Sequence, residues 1–108
     1  MSPVRSYLRG VVAPELHAQY LTRARLADTE LMRLQADALR WYADTIDGAT
    51  EAERVRLVLR APRSAQLVDV RVTPELAQRV KLSAARLGVS ARQWVYSSLT
   101  LYALRSFD

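Results

Sequence analysis

Apolar positions in the C-terminal part of the chain change their period twice. Val68, Val70 and Val72 alternate with Leu67, Asp69 and Arg71, the period-two pattern of a strand with one buried face. Leu76, Val80, Ala84 and Leu87 then recur at helical spacing. Trp94, Val95, Leu99 and Tyr102 form a second helical stripe, with Ser98 at a close-packing position. The junctions carry matching punctuation. Thr73 is an N-cap residue, and Pro74 suits the first helical position, where its missing N–H would have no partner. Gly88 stands where the first helix should stop, because glycine accepts the left-handed conformation of a helix C-terminus. Ser90 with Gln93 has the spacing of a capping box. The pattern predicts a strand over 67–72, then two helices separated by a tight turn.

The same pattern occurs sixty residues earlier. Ala13-Pro14-Glu15-Leu16 stands against Thr73-Pro74-Glu75-Leu76. At that offset Leu8 and Val12 fall on Val68 and Val72, and Leu16, Tyr20 and Ala24 on Leu76, Val80 and Ala84. Leu34, Ala38, Leu39 and Tyr42 fall on Trp94, Ser98, Leu99 and Tyr102. A first strand is therefore predicted over 7–12. The place of Gly88 is taken by Asp28, which tolerates the left-handed conformation better than most residues. The match has two faults. Gly10 replaces Val70 on the inward face, which should weaken the strand. Glu30 replaces the capping Ser90, leaving Asp28 or Thr29 as the cap. Either the chain carries tandem strand–helix–helix units, or two Ala/Leu-rich helix pairs align by chance.

Residues 45–66 join the two stretches. Thr45 to Ala49 reads as a polar turn. Thr50 with Glu53 is a second capping-box spacing and predicts a helix from Glu51 to Arg60, with Ala52, Val55, Val58 and Leu59 as its apolar stripe and Pro62 as its terminator. A strand is the competing reading. Val55, Leu57 and Leu59 alternate with Arg56, Val58 and Arg60, which would make a hairpin with 67–72. The cap and the Ala/Glu/Arg content favour the helix.

The order of strand, Thr-Pro-Glu-Leu, helix, Gly-Val-Ser and helix over 67–104 resembles the ribbon-helix-helix family of DNA-binding proteins. The resemblance implies a mainly α fold with a short antiparallel β-ribbon. With the internal echo it implies two tandem units: a degenerate first unit over 1–44, a linker with a short helix over 45–66, and a second unit over 67–108. One unit of about 45 residues buries too little surface to be stable alone, so family members dimerise. Two units in one chain would build that dimer internally, as an intramolecular pseudo-dimer. This is similar to tandem single-chain members among the accessory proteins of plasmid-transfer relaxosomes. A homo-oligomer built through the C-terminal unit is the alternative.

In this family the ribbon enters the major groove and its outward side chains touch base edges. The outward set here would be Tyr7, Arg9 and Val11 from the first strand and Leu67, Asp69 and Arg71 from the second. Arg9 and Arg71 can each take the O6 and N7 of a guanine, Asp69 can accept from cytosine N4, and Val11 and Leu67 can touch a thymine methyl. The set is less polar than the family's usual Arg, Lys, Thr or Asn, and Asp69 would repel phosphate. The family's second contact is the start of the second helix, where backbone N–H groups around Val89 and Ser90 hold a phosphate and Arg92 adds a charge. The corresponding turn of the first unit, Asp28-Thr29-Glu30, is acidic, so the two half-sites should grip DNA unequally.

Charge agrees with a nucleic-acid partner. The formal charge is +5, and Lys81 is the one lysine among 16 cationic side chains, the rest being arginine. Arginine suits bidentate contacts to phosphate and guanine, although an Arg/Ala/Leu bias also follows from a GC-rich genome. Residues 1–60 carry nine basic and eight acidic groups, and residues 61–108 carry seven and three, so the excess lies in the C-terminal stretch.

Enzyme chemistry finds no foothold. Cysteine is absent and His17 is the single histidine, so a zinc site would need to be built almost wholly from carboxylates. No Gly-rich phosphate loop or nucleophile–base spacing occurs, and Asp44, Asp47, Glu51 and Glu53 lack calcium-loop spacing. No cofactor is expected. Trp41, Tyr42, Trp94, Tyr96 and Tyr102 fall on helices and read as core or interface. Apolar runs fall far short of the roughly 20 residues of a membrane span, and no basic-then-apolar leader opens the chain, so a cytoplasmic protein is expected. Three functions remain: a regulator of transcription that binds specific duplex DNA, an accessory DNA-binding protein of plasmid transfer or maintenance with a relaxase as partner, and a protein-interaction module such as an antitoxin with a toxin as partner.

Overall fold

The computed structural model describes residues 6–107. Residues 1–5 and Asp108, the outer ends of the two expected units, lie outside the described residues. Seven elements follow in order: β1 (Ser6–Val12), α1 (Pro14–Leu26), α2 (Leu31–Asp47), α3 (Glu51–Arg56), β2 (Gln66–Val72), α4 (Pro74–Leu87) and α5 (Ala91–Ser106). The chain is mainly helical, with one two-stranded antiparallel sheet. The two strands begin and end sixty residues apart.

Local chemistry accounts for most boundaries. The Thr73 hydroxyl accepts from the Leu76 N–H, and Pro74 takes the first turn of α4. Gly88 ends α4 at φ 72°. Its N–H donates to the Ala85 carbonyl and that of Val89 to the Ala84 carbonyl, which satisfies two of the last carbonyls of the helix. Asp28 does the same for α1 at φ 52°, with Asp28 N–H donating to the Arg25 carbonyl and Thr29 N–H to the Ala24 carbonyl. The Ser90 hydroxyl accepts from the Gln93 N–H and opens α5. At the start of α2 the expected caps do not form: Glu30 is the N-cap residue, with no side-chain hydrogen bond. At that end Leu31 and Leu34 pack against the core, and further along α2 buries Gln35, Ala36, Ala38, Leu39, Tyr42, Ala43 and Ile46.

The inward faces of the strands meet the second helix of the opposite half. β1 packs mainly on α5, β2 on α2, and the two long helices lie against each other. Leu8, Val12, Val68, Val70 and Val72 are buried there with Leu39, Tyr42, Trp94, Val95 and Leu99. Two buried polar groups find partners across the core, as burial without them is costly, whereas Thr100 Oγ1 is buried without one among the described residues. The Trp94 indole N–H donates to Ser83 Oγ at 2.9 Å, and the Tyr20 hydroxyl to the Leu99 carbonyl at 2.7 Å. The rings of Tyr42 and Trp94 meet edge to face at 4.8 Å.

Two expectations need correction. Gly10 was expected to weaken its strand; instead it admits α5. A Cβ on Gly10 would lie 2.4 Å from Val95 Cγ1, so the glycine is what lets a buried valine reach the backbone of β1. The linker helix stops at Arg56 rather than Arg60, and it buries none of its residues; Val55 is 76% exposed. The capping box at its start does form, with Glu53 N–H donating to Thr50 Oγ1 and Thr50 N–H to Glu53 Oε1. Hydrogen bonding to Thr50 holds the Glu53 carboxyl below the ordinary range. Beyond Arg56 the backbone is claimed by distant partners: the Leu57 carbonyl accepts from the Tyr42 hydroxyl at 2.6 Å, and the Leu59 N–H donates to Ser97 Oγ at 2.9 Å. The competing hairpin of this segment with 67–72 does not form either, because β2 pairs with β1.

Two measurements check this account. Gly10→Ala should cost about 1–3 kcal/mol in chemical denaturation, as overpacking does. Adding Val95→Ala should recover part of that cost, and strictly additive effects would overturn the contact. Burial also pushes the Tyr42 phenol up to about 12 and the Tyr20 phenol well above its ordinary range. A raised folded pKa contributes stability that is present below the unfolded value and lost as pH rises. Stability should therefore decline from about pH 10 upward, and Tyr42→Phe should flatten the decline between pH 10 and 12.

Candidate nucleic-acid interface

The alternation of β1 and β2 leaves one face of the sheet in solvent. The cross-strand partners on that face are Tyr7 with Arg71, Arg9 with Asp69, and Val11 with Leu67. All six strand residues expected to face outward do so: Tyr7, Arg9, Leu67 and Asp69 are exposed, and Val11 and Arg71 are half-buried. The face is short and shallow, and its chemistry changes along its length.

At one end Tyr7 organises Arg71. The Tyr7 hydroxyl accepts from Arg71 Nη2 at 2.9 Å and from Nε at 3.2 Å. The guanidinium also lies 5.5 Å from the centroid of the Tyr7 ring, a distance at which ring and cation attract. Arg71 Nη1 faces Met32 Sδ on α2 at 3.9 Å, a weak acceptor. The cation is thus oriented without being neutralised. At the centre Arg9 Nε meets Asp69 Oδ1 at 3.3 Å, with both side chains more than half exposed. Such a pair is worth little in water, but it cancels the charge of the middle of the face. At the other end Val11 and Leu67 present carbon alone, and Leu67 is 58% exposed.

The start of α5 was the second expected contact, and it needs correction in one respect. The Val89 N–H is consumed by the Ala84 carbonyl, so it is not open to a phosphate. The Ser90 hydroxyl caps Gln93 within the helix. Ser90 and Arg92 are both exposed at this end. At the corresponding end of α2, Asp28, Thr29, Glu30 and Arg33 line a surface depression, so two carboxylates face one guanidinium. The two helix starts thus differ in charge, with Asp28 and Glu30 exposed at one and Arg92 exposed at the other.

Sequence reasoning missed Met32 as a neighbour of Arg71 and the coupling of Tyr7 to Arg71. The offset of sixty implies a two-fold antiparallel pairing but does not say which matched pair lies at its centre; the register centres on Arg9 and Asp69 and so sets Tyr7 against Arg71. The acidic residues at the loop also do more than face solvent: Arg79 Nη2 bridges Asp44 at 2.7 Å and Asp47 at 2.8 Å. His17 is half-buried on α1. Among the described residues no group of three or more His, Cys, Asp or Glu side chains is placed to hold a metal ion, and no helix is long and apolar enough to cross a membrane. No family model, curated protein or solved structure matches the chain.

The central ion pair yields a stability test. Asp69→Arg would oppose two guanidiniums across the strands and should cost about 0.2–1 kcal/mol, as like charges directly opposite do. The exchange Arg9→Asp with Asp69→Arg should restore the loss, as measured by denaturation of all four forms. A double exchange no better than the sum of its parts would remove the pair from the account.

Proposed function

We propose that this protein binds double-stranded DNA through the solvated face of its β-ribbon, as a ribbon-helix-helix regulator of transcription built from two tandem units in one chain. The observation that carries the reading is the intrachain ribbon. Two strands sixty residues apart pair antiparallel, each followed by a helix pair, and one face of the ribbon is buried while the other carries Tyr7, Arg9, Val11, Leu67, Asp69 and Arg71. A two-stranded ribbon is of a size to enter the major groove. Arg71, held by Tyr7, is the side chain best prepared to take a guanine edge. The start of α5, with Arg92, is the better of the two phosphate contacts, since Asp28 and Glu30 flank the other.

Pairing within one chain also supports a second reading. It is the arrangement of tandem accessory proteins of plasmid transfer, which bind DNA by the same ribbon but work beside a relaxase. The two readings share the DNA contact and differ in the neighbouring partner.

Binding to duplex DNA should weaken steeply with salt, because phosphate contacts release counterions. Arg92→Ala should lower the slope of log K against log salt by about one, measured by fluorescence anisotropy on a labelled duplex. Absence of binding even at low salt would reject the proposal.

A further inference from the structure

Resting on the ribbon reading above, we propose that the DNA site is non-palindromic and read in one fixed orientation, with a guanine at the Tyr7–Arg71 end of the ribbon and a thymine methyl at the Val11–Leu67 end. Arg9 and Asp69 are cross-strand partners and also lie sixty residues apart, so an axis that exchanges the two halves of the chain passes between them. That axis carries Tyr7 onto Leu67 and Arg71 onto Val11. One end of the face therefore lands on the other, and the two ends differ in every side chain.

In a symmetric ribbon the two ends present identical groups, which is why dimeric readers select palindromic sites. Here the symmetry survives in the backbone and is broken in the chemistry. One end offers an oriented guanidinium, with the Tyr7 hydroxyl holding its Nε and Nη2. Among the described residues its Nη1 meets no acceptor stronger than the Met32 thioether. Guanine supplies two acceptors, O6 and N7, on its major-groove edge, which suit such a donor. The opposite end offers Val11 and Leu67, with no side-chain donor or acceptor. Among major-groove edges, thymine carries the methyl group that an apolar pair would cover. The Arg9–Asp69 pair between them is neutral as a unit and leaves the ends to set the orientation.

The flanking helices differ in the same sense. Met32, beside Arg71, corresponds to Arg92 in the other half, and Glu30 corresponds to Ser90. The axis that sets Met32 beside Arg71 sets Arg92 toward the Val11–Leu67 end, so the end of the ribbon without a cation has one at the adjoining helix start. One end thus holds its base with charge and the other its phosphate, so a duplex turned end for end satisfies neither.

The test selects bound duplexes from a random pool at near-physiological salt, using the wild type, Arg71→Ala and Leu67→Ala, all checked for unchanged melting. The expected result is an enriched site without two-fold symmetry. Arg71→Ala should relax it at one end alone and Leu67→Ala at the other end alone. On the selected duplex, 7-deazaguanine at the first end should weaken wild-type binding about tenfold and leave Arg71→Ala indifferent. Deoxyuridine for thymidine at the second end should weaken it roughly fourfold, the value of one buried methyl group. A palindromic selected site, or two variants that relax the same positions, would overturn the fixed orientation while leaving DNA reading by the ribbon intact. Enrichment of no sequence at all would overturn both.

Discussion

A two-stranded ribbon alone is marginal in water, so the pairing of β1 with β2 stands only because its inner face is covered. The cover is crossed: α5 lies over β1 and α2 over β2, each helix belonging to the opposite half of the chain. Val95 reaches the backbone of β1 because Gly10 leaves room for it. The Tyr20 hydroxyl on α1 ties to the carbonyl of Leu99 on α5. Neither half can bury its strand without the other. Ribbon, core and the outward face that the ribbon displays are therefore one cooperative structure, and the cost of closing the long connection between the strands is met by the whole of it.

Within that structure the backbone repeats and the side chains diverge. Asp28 and Gly88 end their helices in the same left-handed conformation, and the same pattern of backbone hydrogen bonds closes both turns. At other matched positions the chemistry is exchanged outright. Arg79 bridges Asp44 and Asp47 on one side, and the residues sixty positions away are Gln19, Leu104 and Phe107. Phe107 packs edge-on against Tyr20 at 4.8 Å and lies beneath Arg23. A fold held by an interlocked core tolerates such exchange on its surface, and that tolerance lets the two ends of the ribbon present different groups.

The sequence was informative wherever structure is decided over a few residues. Period-two burial of Val68, Val70 and Val72, the Thr73 and Thr50 caps, the left-handed Asp28 and Gly88, and the outward set on the strands were all readable, because caps and periodicity act between neighbours. It misled at Gly10, where a general rule about glycine in strands yields to one close contact with Val95. It misled again past Arg56, where helix-favouring residues lose their backbone groups to Tyr42 and Ser97.

What the sequence alone determined is the order and type of the elements and which strand face is apolar. Only the tertiary structure decided that β2 takes β1 as its partner and that Tyr7 orients Arg71 while Asp69 neutralises Arg9. The division follows from range. Local preferences are written in residues three or four apart, whereas strand partner, register and the availability of a polar group depend on which side chains the closed core brings together across sixty residues of chain.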